Sequence, residues 1–181
     1  KFQSNGFSLI ESRAPEEIKL FDNLGVLLTT SGSTGSPKLV RLSYGNLLSN
    51  THSIVEYLRL DAGNRTISTL PYSYSFGLSI LNTFLHVGAS IVLTEASLVQ
   101  REFWDAMRQH QVSSLSGVPY TFEMLNRIRF LAMDLPNLKT LTQAGGKLPV
   151  ELCRKFAEAA RERNLRFFAM YGATEATARM S

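Results

Sequence analysis

Apolar positions recur along the chain with two different periods, and the alternation between them outlines an α/β domain. Short runs of apolar and small residues predict buried strands at Val26–Thr30, Thr66–Leu70, Ser90–Thr94, Ser113–Ser116, Lys139–Gln143 and Phe167–Met170. Between them the spacing turns helical, as in Leu47, Leu48, Thr51, Ile54, Val55 and Leu58. It predicts helices over about 43–58, 76–87, 100–110, 119–132 and 149–163. Phe103, Trp104 and Met107 form a helical stripe suited to a core. Strands separated by helices of this length imply βαβ units, hence a doubly wound, mostly parallel sheet with helices on both faces. Residues 1–23 read as a leading segment with an edge strand at Phe7–Ile10, and 24–181 as the α/β unit. Repeats and low-complexity tracts are absent.

Ligands in such folds bind beyond the carboxyl ends of the strands, so the segments that follow strands are where chemistry is expected. After the first strand comes Thr29-Thr30-Ser31-Gly32-Ser33-Thr34-Gly35-Ser36-Pro37-Lys38. Its glycines let backbone N–H groups approach an anion, its hydroxyls add donors, and Lys38 adds a mobile charge, all suited to cradling phosphates. A Ser/Gly linker is the plainer alternative, but its place between an apolar strand and a helix argues against it. The loop fails the Walker A pattern, since two residues separate Gly32 from Gly35 and Lys38 follows proline. It fails Gly-x-Gly-x-x-Gly as well. After the second strand comes Pro71-Tyr72-Ser73-Tyr74-Ser75-Phe76-Gly77-Leu78, after the fifth Ala144-Gly145-Gly146-Lys147, and after the sixth Tyr171-Gly172-Ala173-Thr174-Glu175.

Composition narrows the class. A hydrophobic share of 44% with 19% charged residues is that of a globular chain, and no apolar stretch approaches a membrane span. The net charge of +4 is small and its basic residues are scattered, so no nucleic-acid stripe is present. A single cysteine, Cys153, rules out an internal disulfide and points to a reducing, cytoplasmic setting. Cys153 shares a helical face with Phe156, Ala157 and Ala160, which suits packing better than nucleophilic chemistry. His52, His86 and His110 have no metal-ligand spacing and fall in predicted helices. The chain starts at Lys1 without an initiator methionine or signal peptide, as a piece of a longer protein would.

Taken together, the four post-strand segments resemble, in order, the motifs of the AMP-forming adenylating superfamily: acyl-CoA synthetases, luciferases and peptide-synthetase adenylation domains. Thr30 to Lys38 resembles its phosphate loop, with Leu39 where the family usually has glycine. Tyr171 to Glu175 is similar to its Tyr-Gly-x-Thr-Glu motif, and the likeness covers about residues 24–181. The resemblance implies an ATP- and Mg²⁺-dependent ligase that adenylates a carboxylic acid. It then transfers the acyl group to coenzyme A or to the phosphopantetheine of an acyl or peptidyl carrier protein. By the same resemblance, Thr30, Ser31, Gly32, Ser33, Thr34, Gly35 and Lys38 hold phosphates. Gly145, Gly146, Tyr171 and Gly172 border the nucleotide, Thr174 meets the α-phosphate, and Glu175 holds Mg²⁺. Tyr74, Phe76 and Gly77 would line the acyl pocket, with Tyr74 standing where many acyl-CoA synthetases have histidine. The family's ribose-binding aspartate and the lysine of its mobile C-terminal domain lie beyond the motif, so residues 1–181 alone are expected to be inactive. The alternative is a catalytically silent nucleotide-binding or interaction domain on the same fold.

Overall fold

The computed structural model describes residues 2–4, 7–9, 20–30 and 38–179. Among the described residues nine strands and five α-helices follow one another: β1 (Phe2–Ser4), β2 (Phe7–Leu9), β3 (Leu24–Thr29), β4 (Leu39–Ser43), α1 (Tyr44–Leu58), β5 (Arg65–Ile67), α2 (Ser75–His86), β6 (Ser90–Val92), α3 (Arg101–Gln109), β7 (Ser114–Gly117), α4 (Pro119–Arg127), β8 (Thr140–Gln143), α5 (Val150–Glu162) and β9 (Arg166–Ala169). Strands β5 to β9 form a parallel sheet in the order β6-β5-β7-β8-β9. The chain therefore adds β6 on one side of β5 and then reverses to add β7, β8 and β9 on the other.

Right-handed crossovers turn that reversal into two layers of helices. Ile54 and Leu58 of α1 and Phe76, Ile80 and Phe84 of α2 pack in one cluster with Ile91 and Phe168 of the sheet. Phe103, Trp104 and Met107 of α3, Phe122 and Leu125 of α4 and Phe156 of α5 pack in another with Ile67, Leu115, Leu141 and Phe167. Neighbours Phe167 and Phe168 thus serve opposite faces, as strand alternation requires. The central strands β7 and β8 are buried at every residue. Their hydroxyls are satisfied inside the sheet: Thr142 Oγ1 lies 2.8 Å from Ser116 Oγ, and Thr66 Oγ1 donates to the Ser114 carbonyl at 3.1 Å.

Some elements differ from the sequence expectation. The strand expected at Val26–Thr30 is present as β3, but it pairs antiparallel with β4 and forms its own two-stranded sheet. Strand β4 is one the apolar pattern did not predict. It is short, and Val40 and Leu42 alternate with exposed Leu39 and Arg41. The edge strand near Phe7 also exists, as β2, but pairs antiparallel with β1. Strand β5 stops at Ile67, short of the expected Leu70; beyond it the Ser68 N–H donates to the Val92 carbonyl at 2.9 Å and its side chain exchanges hydrogen bonds with Thr94. Helix α4 ends at Arg127 rather than 132; Arg129 turns left-handed at φ 56° and a 3-10 turn follows over Phe130–Ala132.

Candidate active site

A cleft of about 980 Å³ opens at the carboxyl ends of β8 and β9. Its walls are Thr29 and Thr30 at the end of β3, Ser73–Phe76 leading into α2, Gln143–Leu148 after β8 and Met170–Glu175 after β9, with Cys153, Ala178 and Arg179. Three of the four post-strand segments are therefore brought together, along with the entry to the fourth. Residues Ser31–Pro37, which carry the expected phosphate loop, lie outside the described residues. Lys38, at the loop's far end, is exposed, and its carbonyl accepts from the Thr30 N–H at 3.3 Å.

The turn after β8 is shaped by backbone and side chain together. Gly145 adopts φ +79°, and a Cβ there would sit 2.6 Å from Tyr74 Oη and 3.0 Å from Val118 Cγ1. Only glycine allows both the left-handed backbone and this approach. Gln143 is buried, and its Nε2 donates to the carbonyls of Ala144 and Gly146 at 3.2 and 2.9 Å, pinning the turn. It is a positioning residue that the motifs did not single out.

The segment after β9 folds back on itself. A 3-10 turn covers Thr174–Ala176, and Thr177 and Ala178 are both left-handed at φ 62° and 83°. Non-glycine residues pay roughly 1–2 kcal/mol each for that conformation. Gly172 is crossed by the returning chain so closely that a Cβ would collide with the Ala178 carbonyl. Thr174 Oγ1 lies 3.3 Å from Ser75 Oγ at the start of α2. Tyr171 presents an exposed ring and Glu175 an exposed carboxylate to the cleft.

Of the proposed acyl-pocket residues, Tyr74 and Phe76 line the cleft. Gly77 does not; it lies inside α2, packed on the Pro71 carbonyl. Cys153 is half-buried and reaches the cleft wall, whereas Ala157, expected on the same packed face, is exposed. Arg179 is the residue that sequence reasoning missed altogether. It is 2% exposed, and burial pulls its guanidinium well below the ordinary arginine value, to about 10. Among the described residues no three His, Cys, Asp or Glu side chains come together. A lone carboxylate still suits Mg²⁺, which takes one or two carboxylates with substrate phosphates and waters; Glu175 fits that role. No helix among the described residues is long and apolar enough to cross a membrane.

The D-alanine–D-alanyl carrier protein ligase of Bacillus cereus (strain G9842) is 31% identical over 166 residues, which is 90% of this chain and 32% of that protein. The o-succinylbenzoate coenzyme A synthetase (MenE) of Bacillus subtilis, solved in complex with ATP and magnesium ion, superposes with a TM-score of 0.73 at 26% identity. The match covers 92% of this chain and 35% of that one. The McyG A-PCP structure complexed with phenylalanyl-adenylate gives a TM-score of 0.73 at 26% identity, covering 93% and 29%. The chain thus spans about a third of the length of the ligases it matches. The AMP-binding enzyme family matches residues 3–181, and the chain belongs to that family.

Proposed function

We propose that the protein is an AMP-forming ligase that adenylates a carboxylic acid with ATP and then hands the acyl group to a thiol. The observation that carries this is the convergence of Tyr74–Phe76, Gly145–Gly146 and Tyr171–Glu175 on one cleft at the carboxyl edge of the sheet. The likeness to a carrier-protein ligase and to a coenzyme A synthetase supports the same reaction class. In the first half-reaction a carboxylate oxygen attacks the α-phosphorus. The bond to the bridging oxygen breaks, and pyrophosphate leaves with that electron pair. In the second, the thiol sulfur attacks the acyl carbon, AMP departs and the thiol proton passes to solvent.

The chain's own residues would bind and orient these partners. Tyr171 offers a ring for the adenine, and the Gly145–Gly146 backbone lets nucleotide and acyl group approach. Thr174, whose Oγ1 meets Ser75 Oγ at 3.3 Å, would turn its hydroxyl proton toward the α-phosphate. Residues Thr30 to Gly35 and Lys38 would hold the outer phosphates by backbone donors and charge. Mg²⁺ at Glu175 would offset phosphate charge as it develops. Coenzyme A and a carrier-bound phosphopantetheine remain the two candidate acceptors.

Acid-dependent exchange of labelled pyrophosphate into ATP by the full-length protein, over a panel of carboxylic acids, tests the proposal. Exchange with at least one acid is expected. ATP binding with no exchange for any acid would leave the silent nucleotide-binding domain as the better description.

A further inference from the structure

Two histidines that the cleft does not use meet on the outer side of α1 and α2. His52 stands on the exposed side of α1 and His86 in the last turn of α2. Their ring centres lie 4.7 Å apart, with the ring planes tilted by 58°. Neither residue lines the cleft, and no sequence spacing links them. What brings them together is the packing beneath. Ile54 and Leu58 of α1 share one buried cluster with Phe76, Ile80 and Phe84 of α2, so the two helices are fixed against each other. The rings themselves are exposed and contribute little to that packing.

The separation of the rings is informative. In water two exposed imidazoles gain little from each other, and they repel once both are protonated. A shared metal ion, by contrast, asks for this distance. With metal–nitrogen bonds of about 2.0–2.1 Å and an angle between square and tetrahedral, two ring centres sit about 4.5–5 Å apart. The end of α2 helps, since its carbonyls carry negative partial charge that favours a cation beside the last turn. Imidazole nitrogens suit zinc, copper and nickel, whereas magnesium seeks oxygen ligands. No third His, Cys, Asp or Glu among the described residues joins the pair.

We propose that His52 and His86 form a two-histidine site for a divalent transition metal ion of the zinc class, with water in the remaining coordination positions. The ion bridges α1 to α2. Helix α1 follows β4, and α2 opens beside Tyr74 and Ser75 in the cleft wall, so the bridge ties the hairpin side of the molecule to a helix that begins at the cleft. The site is separate from Glu175 and stands whether or not the protein adenylates an acid.

The test uses the full-length protein, stripped of metal with a chelator and kept in excess Mg²⁺ so that oxygen-rich sites are filled. Zn²⁺ binding is measured by calorimetry for the wild type, His52→Gln, His86→Gln, the double variant, and His110→Gln as a histidine outside the pair. Losing a residue that merely orients a metal ligand weakens binding about 10–100-fold, so removing either imidazole should cost at least that much. The double variant should lose little more than a single one, and His110→Gln should bind as the wild type does. Zn²⁺ should raise the unfolding temperature of the wild type and of His110→Gln, but not of the other variants, because it binds the native state alone. Each variant is compared with itself without metal, so a change in its own stability does not enter. Cu²⁺ in place of Zn²⁺ should show two imidazole nitrogens by electron paramagnetic resonance in the wild type and lose that signature in either single variant. Wild-type protein that binds Zn²⁺ no better than the double variant overturns the proposal. So does binding lost in only one of the two single variants, or an equal loss in His110→Gln.

Discussion

At the scale of single residues, the cleft depends on groups that tolerate little change. At Gly145 a methyl group would meet both a left-handed backbone and the Tyr74 hydroxyl. Gly145→Ala should therefore lower stability by about 1–2 kcal/mol from the backbone alone, with the Tyr74 clash adding to it. The clash is separable, because Tyr74→Phe removes the oxygen that the new Cβ would touch. Urea unfolding should show Gly145→Ala costing less in the Tyr74→Phe background; equal costs in both would mean that the turn gives way elsewhere. Tyr57 offers a second measurement. Burial raises its phenol above the ordinary tyrosine value, and the Arg179 guanidinium partly offsets the rise. With the folded value above the unfolded 10.0, the native state keeps a proton that the unfolded state has already lost. This contribution to stability is complete below pH 10.0 and is lost as pH climbs through the folded value. Arg179→Met removes the influence that lowers Tyr57, so the phenol should titrate at higher pH. Tyrosinate absorbance, with Tyr57→Phe as the blank, reads this directly; a downward shift would separate the two side chains.

Among the elements, α1 shows how local chemistry joins the loop strand to the main domain. Ser43 ends β4 and caps α1: its Oγ accepts from the Asn46 N–H at 3.1 Å, and Asn46 Oδ1 accepts from the Ser43 N–H at 3.1 Å. Ser43→Ala should cost about 1 kcal/mol in chemical denaturation; a change of a few tenths would mean that β4 alone fixes the start of the helix. The helices were legible because their stripes are long. Phe103, Trp104 and Met107, or Phe156 and Ala160, can only face a core at a 3.6-residue period. The parallel strands were legible as short apolar and hydroxylic runs between them. Strand β4 was not, since five residues give too little alternation beside a glycine-rich loop. The motifs pointed to the walls of the cleft but not to Arg179. Its burial depends on left-handed Thr177 and Ala178, and neither residue type signals a turn. Gln143 was hidden for another reason. It ends a strand whose other members look like ordinary core, and only the turn it braces shows what its amide does.

For the molecule as a whole, the site lies at one end of a sheet held rigid from both faces. Strands β7 and β8 are buried throughout and are covered on one side by α3, α4 and α5. Their amides should open only with global unfolding, whereas β6, at the sheet edge, should exchange sooner. The loops at the carboxyl ends leave residues 145–147, Tyr171 and Glu175 exposed, so a ligand has most to order there. Adding ATP with Mg²⁺ to the full-length protein should therefore slow hydrogen exchange in 145–147 and 171–176, with little effect on the already protected β7 and β8. Glu175→Gln should shift the Mg²⁺ concentration needed for that protection upward, because one anionic oxygen ligand is lost. Protection confined to the second cleft, the space of about 570 Å³ beside Ser68–Pro71 and Tyr120, would move the nucleotide away from Tyr171–Glu175. An unaltered Mg²⁺ titration with normal protection would remove Glu175 from the metal site while leaving the rest of the cleft in place.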